Sequence, residues 1–288
     1  MNKDNVIVLG NGFLGSCFAR HGYDVWNREK FSMFDRDYHT MYNMHKLNAV
    51  LRDARDKPEQ LVIINTIGIS DTRFCEDDAN WDLINNVNTE IPRMLSGMCD
   101  HYKAKFVHIS TGCLYDVRNE LQTETDFISA HCNYVLTKWA AEKWCNPDQD
   151  LIIRPRLLFD SEAPAKGKRN NLLCKFGEFS TFLKEYNTVT SNDTIVEAIE
   201  ALLENDQVGV FNVGNEGIYT IADMAEYLGF DVKGTICQAD LHASQKLYLV
   251  NNIMDLSKLK QYYEPRDIIT ELKRCKAILD ASAWMTKD

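Results

Sequence analysis

Short apolar runs alternate along the chain with segments whose apolar positions recur at helical spacing. Nearly continuous runs of Val, Ile, Leu and aromatic residues are typical of strands that helices cover on both faces, as in a parallel sheet. The runs lie at 6–10, 23–27, 61–68, 105–110, 151–159 and 208–214. Segments 84–103 and 134–145 have the helical spacing. The alternation predicts βαβ units, and therefore an α/β fold with a doubly wound parallel sheet.

The pattern becomes looser after residue 159. The segment DSEAPAKGKRNN, at 160–171, is polar and contains Pro and Gly, which predicts a loop. Two further helices are predicted in TIADMAEYLGF and DIITELKRCKAILDASAWM. We therefore expect a first domain at 1–159, to which the chain also returns at about 188–215, and a smaller carboxy-terminal substrate-binding lobe at 160–288.

Composition narrows the class of protein. The chain has 288 residues and a net charge of −10, which argues against nucleic acid and against an anionic membrane surface as partners. No run reaches the ~18 apolar residues of a membrane span. Nine cysteines lie without a CxxC pair, and the seven histidines have no metal-ligand spacing. We therefore expect reduced thiols, a cytoplasmic location and no bound metal.

Three glycines follow the first apolar run. In VIVLGNGFLGSCF they form the pattern GxGxxG between a predicted strand and a predicted helix. The first permits a tight turn, the second lets a pyrophosphate approach the backbone, and the third lets the helix pack closely. The sheet is therefore expected to be Rossmann-like and to bind a dinucleotide. The expected cofactor contacts are Gly10, Asn11, Gly12, Phe13, Leu14 and Gly15, together with Gly68 at the end of the third run.

The second apolar run ends in charged residues, in the segment VWNREK. An acidic residue at this point holds the ribose 2′-hydroxyl of NAD, whereas a basic residue accommodates the 2′-phosphate of NADP. Arg28 and Lys30 are both able to pair with that phosphate, so we expect NADPH rather than NADH. The alternative is that both are solvated surface charges.

A tyrosine and a lysine follow at a spacing that suits proton transfer. Tyr134 and Lys138 are four residues apart, and on a helix they share one face. A free tyrosine has a pKa near ~10, and a neighbouring ammonium favours the phenolate, which makes proton exchange near neutral pH feasible. The fourth run ends in Ser110 and Thr111, where α/β sheets bind ligands. Together these residues predict a reducing centre.

The glycine turn, the hydroxyl pair and the Tyr–Lys pair occur in the order found in extended short-chain dehydrogenase/reductases, which the chain resembles. The resemblance implies that Thr111 binds a substrate carbonyl, that Tyr134 passes a proton, and that Lys138 assists it and holds the nicotinamide ribose. It also implies that Asn86 stabilises the active-site backbone. The glycine spacing departs from the GxxGxxG of extended members by one residue, which puts the local turn geometry in question. Members of this branch are commonly homodimers.

The segment STGCLYD resembles the ATGC turn of the bifunctional nucleotide-rhamnose synthase/epimerase-reductases, a family that includes the carboxy-terminal domain of plant rhamnose synthases. Four further segments of this chain resemble segments of that family: RNNLLCKFGEF resembles its RNFITK, NTVTSND its NSMT, GVFNVGNEG its GIYNFTNPG, and NNIMDLSKLK its NNELDATKLK. The family's epimerising cysteine and lysine fall on Cys113 and Lys175. A 4-keto group acidifies the protons at C3 and C5, and a thiol and a partly buried lysine can exchange protons near neutral pH.

This resemblance implies a bifunctional 3,5-epimerase/4-reductase that converts UDP-4-keto-6-deoxy-D-glucose to UDP-L-rhamnose with NADPH. Two alternatives stay open. One is a monofunctional dTDP- or UDP-4-dehydrorhamnose reductase in which Cys113 is an inert buried thiol. The other is a non-catalytic NADP-binding regulatory subunit, against which the complete Thr/Tyr/Lys set argues. The expected partners are the nucleotide-sugar substrate and a second copy of the chain.

Several polar residues are candidates for contacts with the diphosphate, the base or the sugar. Arginine suits phosphate because its guanidinium donates two parallel hydrogen bonds. Each candidate has a structural hydrogen bond as its alternative role. We predict substrate contacts from Ser110, Arg156, Asn171 and Asn252, and we add Arg154, Asn212 and Asn215 as further candidates.

Overall fold

A computed structural model describes residues 2–27, 30, 40–115, 120–162, 171–245 and 251–282, without the side chains of 40–44 and 244–245. The chain divides into two compact units that interleave along the sequence. The first unit comprises Met1–Ser110, Ala130–Ile153 and Leu202–Phe211. The second comprises Thr111–Ser129, Arg154–Ala201 and Asn212–Asp288. The predicted first domain, 1–159, also contained 111–129, a segment that here packs with the second unit.

Six of the fourteen described strands form one sheet in the order β11-β6-β4-β3-β1-β2, and its pairs from β2 to β6 are parallel. The predicted doubly wound α/β fold is therefore confirmed. The other strands form two-stranded pairs in the second unit. The strands are β1 (Val6–Leu9), β2 (Asp24–Trp26), β3 (Val62–Asn65), β4 (Lys105–Ile109), β5 (Leu121–Gln122), β6 (Leu151–Pro155), β7 (Leu158–Phe159), β8 (Thr181–Leu183), β9 (Tyr186–Asn187), β10 (Thr190–Ser191), β11 (Gly209–Val213), β12 (Tyr219–Thr220), β13 (Gly234–Ile236) and β14 (Ile253–Met254).

Helices connect the sheet strands, and a π-helical segment at Asn86–Glu90 joins α4 to α5. Within the described part of the chain, no helix has the length and apolarity needed to cross a bilayer. The helices are α1 (Phe13–Arg20), α2 (Thr40–Ala54), α3 (Thr72–Cys75), α4 (Trp81–Asn85), α5 (Ile91–Tyr102), α6 (Asn133–Glu142), α7 (Leu172–Glu178), α8 (Asn192–Glu204), α9 (Ile221–Tyr227), α10 (Gln238–Gln245) and α11 (Ile268–Ala281).

The core of the first unit explains why its strands are nearly continuous in apolar residues. Every residue of β1, β3 and β6 is buried, because helices lie on both faces of the sheet. On one face, Ile63 and Phe106 pack with Leu47 of α2 and Leu95 of α5. Complete burial of such a side chain contributes about 1.5–3 kcal/mol. The sheet is therefore a rigid base for the loops at its carboxyl edge.

The predicted single strand 151–159 is wrong, because the chain breaks it in two. Strand β6 ends at Pro155, and Leu157 has a φ of 42°, a left-handed conformation that interrupts an extended strand. Residues Leu158–Phe159 form β7, which pairs in parallel with β10 of the second unit. The passage from the first unit to the second therefore lies inside this apolar run, between residues 153 and 154.

The second unit has its own apolar core. Phe159, Phe176 and Phe182 pack there with side chains of the predicted helices α9 and α11, such as Met224 and Leu272. Helix α9 begins with a capping box in which Thr220 and Asp223 each accept a hydrogen bond from the other's backbone N–H. The predicted loop at 160–171 lies mostly outside the described residues, since 163–170 are not described.

Candidate active site

The glycine turn joins β1 to α1 in the first unit. Gly10 has a φ of 103°, a conformation that favours glycine. A Cβ on Gly15 would lie 1.8 Å from the carbonyl oxygen of Gly10, so only glycine lets α1 pack this closely. Gly12 precedes α1, and no described atom lies within 4 Å of the place a Cβ would take there. The start of α1 is thus open on this side, which fits a pyrophosphate at a helix N-terminus.

The remaining predicted residues of the turn differ in exposure. Asn11 is exposed and Phe13 is half-buried, whereas the side chain of Leu14 is buried in the unit. Thr66, which follows β3, was not predicted from the sequence. Its hydroxyl lies 2.9 Å from the carbonyl oxygen of Leu9 and 3.0 Å from that of Gly10, and it donates to them. The glycine turn is therefore anchored by the neighbouring strand.

The end of β2 carries one of the two cations predicted to select NADPH. Lys30 donates to both carboxylate oxygens of Asp24, at 2.8 and 3.0 Å, and its ammonium lies 4.9 Å from the centre of the Trp26 ring. Burial raises the pKa of Asp24, but the hydrogen bonds from Lys30 and Trp26 outweigh it and hold that pKa below its usual value. Arg28, the other predicted cation, lies outside the described residues.

The π-helical segment positions a buried asparagine against the loop after β3. Asn88 accepts from the N–H of Ile69 at 2.8 Å and donates to its carbonyl oxygen at 3.0 Å. It also donates to the hydroxyl of Thr137 on α6, at 3.3 Å. Asn88, two residues after Asn86, therefore makes the kind of backbone contact that the resemblance implied for Asn86. Gly68 lies beside it, with a hypothetical Cβ 3.6 Å from Asn88 Oδ1.

Lys138 is a buried ammonium at the carboxyl edge of the sheet. It is 4 % exposed, and its Nζ donates to the carbonyl oxygen of Ile109, the last residue of β4, at 2.6 Å. Desolvation lowers the pKa of Lys138 to about 8, although the nearby Glu142 and Cys145 oppose the shift. Burial of a charge is costly, which makes Lys138 a candidate functional residue.

Tyr134 begins α6 one turn before Lys138, and only 8 % of it is exposed. Its N–H donates to Glu76 Oε1 at 3.4 Å, and the side-chain amide of Asn133 donates to the carbonyl oxygen of Cys75 at 3.2 Å. These contacts hold the start of α6 against α3. The predicted pair is thus confirmed as neighbours on one helix, with both side chains buried.

Other polar side chains are buried along β4. His108 is completely buried, and burial first and the charge of Lys138 second lower its pKa well below the usual range. His108 is therefore neutral near pH 7. Its Nδ1 lies 3.5 Å from the side-chain amide of Asn65. Ser110, at the end of the strand, is 4 % exposed, and its hydroxyl has no hydrogen-bond partner among the described residues. An orphan hydroxyl is consistent with its predicted contact with substrate.

In the second unit, Thr111 begins a tight turn that includes Cys113. Thr111 is buried, and its Oγ1 accepts from the N–H of Cys113 at 3.2 Å. This hydrogen bond uses an acceptor site of the hydroxyl and leaves its proton for donation, as a carbonyl-binding residue requires. A Cβ on Gly112 would lie 2.4 Å from Met254 Sδ, so a larger residue there would displace the Met254 side chain.

The half-buried thiol of Cys113 contacts a charged side chain. Arg156, 3 % exposed, donates from Nη1 to Cys113 Sγ at 3.1 Å. Its Nε and Nη2 donate to Asn187 Oδ1, at 3.2 and 2.7 Å. The predicted substrate-binding arginine is therefore engaged within the chain. Asn187 was absent from the predicted site residues, since a lone asparagine in NTVTSND carries no sequence signal of this contact.

Asn252 supports the same turn from another part of the second unit. It is completely buried, and its Nδ2 donates to the carbonyl oxygen of Gly112 at 2.7 Å. Its Oδ1 has no hydrogen-bond partner among the residues that the structure describes. An unsatisfied buried amide oxygen is costly, so it is a candidate acceptor for a hydroxyl of the substrate.

Two other predicted residues differ from expectation. Lys175 is exposed on α7, between the buried side chains of Cys174 and Phe176, so the partial burial assumed for it is wrong. Lys175 lies on the outward face of α7, whereas the side chains directly before and after it face the core. Asn171 is completely buried, and its Oδ1 accepts from the N–H of Leu173 at the start of α7. We therefore assign Asn171 a structural role as helix cap rather than the predicted substrate contact.

The additional candidates are held by structural hydrogen bonds. Arg154 donates to the hydroxyl of Tyr115 at 2.8 Å, and Asn212 donates to the carbonyl oxygen of Gln122 at 2.9 Å. The side-chain oxygen of Asn215 accepts from the N–H of Ser191, the last residue of β10, at 2.8 Å. All three are buried, so each satisfies polar groups inside the second unit.

Comparison with known proteins identifies a family. Residues 5–236 match the family model described as the RmlD substrate binding domain, which is more than half of the chain. No curated protein matches the chain by sequence.

Solved structures share the fold at low sequence identity. A dTDP-4-dehydrorhamnose reductase from Clostridium acetobutylicum is 21 % identical, with a TM-score of 0.75, and the match covers 96 % of this chain and 99 % of that one. A UDP-rhamnose synthase from Acanthamoeba polyphaga mimivirus is 16 % identical, with a TM-score of 0.76 and coverage of 95 % and 98 %. A dTDP-4-dehydrorhamnose reductase from Bacillus anthracis, solved in complex with NADP, is 19 % identical, with a TM-score of 0.74 and coverage of 94 % and 98 %.

Proposed function

Since this chain belongs to the RmlD substrate-binding domain family, we propose that it is an NADPH-dependent reductase of nucleoside-diphosphate 4-keto-6-deoxy sugars, with an additional 3,5-epimerase activity. The observation that carries the reductase proposal is the buried ammonium of Lys138, one helical turn after the buried Tyr134. A structural protein has no need to desolvate that charge. We propose UDP rather than dTDP as the preferred carrier, because STGCLYD and NNIMDLSKLK resemble motifs of the UDP-sugar branch.

Each residue of the reducing set has a distinct proton-handling role in this proposal. The sequence resemblance gives Thr111 the role of carbonyl binding through a hydrogen bond from its hydroxyl. Tyr134 gives its phenolic proton to the ketone oxygen as negative charge develops on it. The ammonium of Lys138, which the carbonyl oxygen of Ile109 orients, stabilises the phenolate that remains. Bound NADPH supplies the hydride that reduces the carbonyl carbon.

The glycine turn supports the choice of a dinucleotide. Gly10, Gly12 and Gly15 leave the start of α1 accessible to phosphate, and Lys30 adds a cation at the end of β2. The Bacillus anthracis reductase binds NADP, which favours the same cofactor for this chain. Measuring the NADPH and NADH affinities of Arg28→Glu tests the choice. An unchanged ratio would reject a role for Arg28.

The epimerase activity is the finer part of the proposal. It is supported by the likeness of STGCLYD to the ATGC turn and by the charged contact between Arg156 and Cys113. In this proposal Cys113 exchanges a proton at the carbon beside the ketone, and Lys175 acts at the opposite face of the ring. The alternative is a monofunctional 4-dehydrorhamnose reductase, which the names of the structural neighbours favour equally.

Proton exchange in heavy water separates the two activities. The protein is incubated without NADPH with the 4-keto-6-deoxy-glucose nucleotide, as its UDP form and then its dTDP form, and deuterium at C3 and C5 is followed by NMR. An epimerase incorporates deuterium at both carbons before any reduction. If neither form exchanges, the epimerase activity is rejected, and loss of NADPH absorbance with a pre-epimerised substrate still tests the reductase.

The variant Cys113→Ala distinguishes the two enzymatic alternatives. It is expected to reduce the pre-epimerised 4-keto sugar and to fail with the unepimerised one. If both substrates are reduced at the wild-type rate, Cys113 is not an epimerising residue. If the wild-type protein consumes no NADPH with either substrate at any enzyme concentration, the regulatory-subunit alternative is favoured instead.

A further inference from the structure

Arg156 is an arginine whose donors are used inside the second unit. The side chain is 3 % exposed, two of its nitrogens donate to Asn187 Oδ1, and Nη1 donates to Cys113 Sγ at 3.1 Å. A guanidinium is always charged and has a rigid planar fork of donors. When one edge of the fork is fixed on Asn187, the direction of Nη1 is fixed as well. The sulfur of Cys113 therefore faces a permanent positive charge.

The orientation of Asn187 is itself determined by a chain of hydrogen bonds. Its Nδ2 donates to Asn251 Oδ1 at 2.8 Å, and Asn251 in turn donates to the side chain of Gln238 at the start of α10. Because Nδ2 is engaged on this side, Oδ1 is the atom that faces Arg156. Asn187 is completely buried on β9, which pairs with β12. None of the three hydrogen-bonded side chains, Asn187, Asn251 and Gln238, is exposed. Water therefore does not readily replace the hydrogen bonds that orient Asn187.

The turn that carries the Cys113 sulfur is itself held in place by other side chains of the second unit. Asn252 donates to the carbonyl oxygen of Gly112, and Met254 Sδ occupies the space a Cβ on Gly112 would need. The backbone also links these two supports, since Thr188 N–H, next to Asn187, donates to the carbonyl oxygen of Asn252 at 3.0 Å. The guanidinium and the thiol are thus positioned by one connected framework.

We propose that Asn187 is a positioning residue, which orients Arg156 so that its charge stays on the Cys113 sulfur and keeps that thiol reactive. The thiolate is the reactive form of a cysteine, and a neighbouring cation stabilises it. The catalytic role of this thiol rests on the proposed epimerase activity. When the sulfur takes a proton from the carbon beside the ketone, the C–H electron pair moves into the enolate, and the S–H bond forms. Inversion of the carbon then requires a proton from the opposite face of the ring, which the proposed function assigns to Lys175.

The chain contains a matched thiol for the test. Cys237 is also half-buried in the second unit, but its sulfur lies 2.9 Å from the carboxylate of Asp240 instead of a guanidinium. Wild-type protein is treated with limiting iodoacetamide at pH 7 without substrate, and carboxamidomethylation is quantified for each cysteine-containing peptide by mass spectrometry. Cys113 is expected to react at least about tenfold faster than Cys237, because its sulfur contacts a guanidinium whereas that of Cys237 contacts a carboxylate.

Variants then separate charge from geometry. Arg156→Gln is expected to bring the two rates within about twofold, and Arg156→Lys to restore part of the difference because it keeps the charge. Asn187→Ala is expected to lower the Cys113 rate by about fivefold or more with the rate of Cys237 unchanged. The control is Asn215→Ala, which removes another buried amide of the second unit, and thermal melts establish that each variant is folded.

The wild-type comparison decides the proposal even if a variant does not fold. Equal alkylation of Cys113 and Cys237 in the wild-type protein overturns it. It is also overturned if Asn187→Ala and Asn215→Ala slow Cys113 to the same extent, since the effect is then one of general destabilisation. Fast alkylation of Cys113 that depends on Asn187, without deuterium exchange at C3 and C5, supports the positioning role and rejects the epimerase activity. The failure of the positioning role is therefore distinguishable from the failure of the epimerase activity.

Discussion

Replacing Lys138 with methionine tests the central physical claim about the reducing centre, that a charged group is buried there at the expense of stability. Lys138 is 4 % exposed, and desolvation lowers its pKa from 10.5 to about 8. At ~1.36 kcal/mol per pH unit, this lowering corresponds to about 3 kcal/mol in favour of the unfolded state while the ammonium is charged. Methionine has a similar length and no charge, so Lys138→Met removes that destabilisation.

The pH dependence identifies the cause. Below pH 8 both states of the wild-type protein bind the proton, and the destabilisation is complete. Between pH 8 and 10.5 the folded state loses its proton first, so the stability of the wild-type protein rises relative to that of Lys138→Met. The difference in free energy of unfolding between the two proteins is expected to change by about 2–3 kcal/mol from pH 7 to pH 10.

A second contribution to the difference in stability between Lys138→Met and the wild-type protein does not depend on pH. The variant leaves the carbonyl oxygen of Ile109 without its donor, which costs about 1–3 kcal/mol. At pH 7 Lys138→Met is therefore expected to be as stable as the wild-type protein or up to about 2 kcal/mol more stable. Its reductase activity is nevertheless expected to fall by at least about 100-fold, since the phenolate loses its counter-charge.

The assay is urea unfolding of both proteins at several pH values from 7 to 10, followed by tryptophan fluorescence, with NADPH oxidation measured in parallel. Lys143→Met is the control for loss of one positive charge, because Lys143 is exposed at the end of the same helix. A stability difference between Lys138→Met and wild type that stays constant from pH 7 to pH 10 would refute the lowered pKa, and with it the buried-ammonium reasoning.

Three further predictions concern the first unit. Gly15→Ala is expected to cost about 1–3 kcal/mol in a thermal melt and at least tenfold in NADPH affinity, because its Cβ meets the Gly10 carbonyl; unchanged values contradict the close packing. Asn88→Ala is expected to cost about 2–4 kcal/mol in urea unfolding, and Asn86→Ala much less; equal costs would return the backbone role to Asn86. Lys30→Ala is expected to weaken NADPH about tenfold more than NADH in fluorescence titrations; equal losses argue against contact with the 2′-phosphate.

Local patterns were sufficient to predict the sheet and the helix that carries Tyr134 and Lys138. The strands of the first unit are buried on both faces, so their apolar runs are continuous, and the spacing of Tyr134 and Lys138 directly gives their common helix face. The glycine turn was also predictable, because its spacing reflects contacts between residues that are close in sequence, such as Gly10 and Gly15.

Contacts between residues far apart in sequence were decided only by the tertiary structure. Asn88 rather than Asn86 hydrogen-bonds the backbone of the loop after β3, at Ile69. Arg156 contacts Cys113 and Asn187 across separations of 43 and 31 residues, and no local pattern encodes such a contact. The burial of Lys138 and the exposure of Lys175 likewise depend on which helix face meets the core. Periodicity therefore determines the elements of this protein, whereas packing determines the charge and hydrogen-bond environment of its reactive groups.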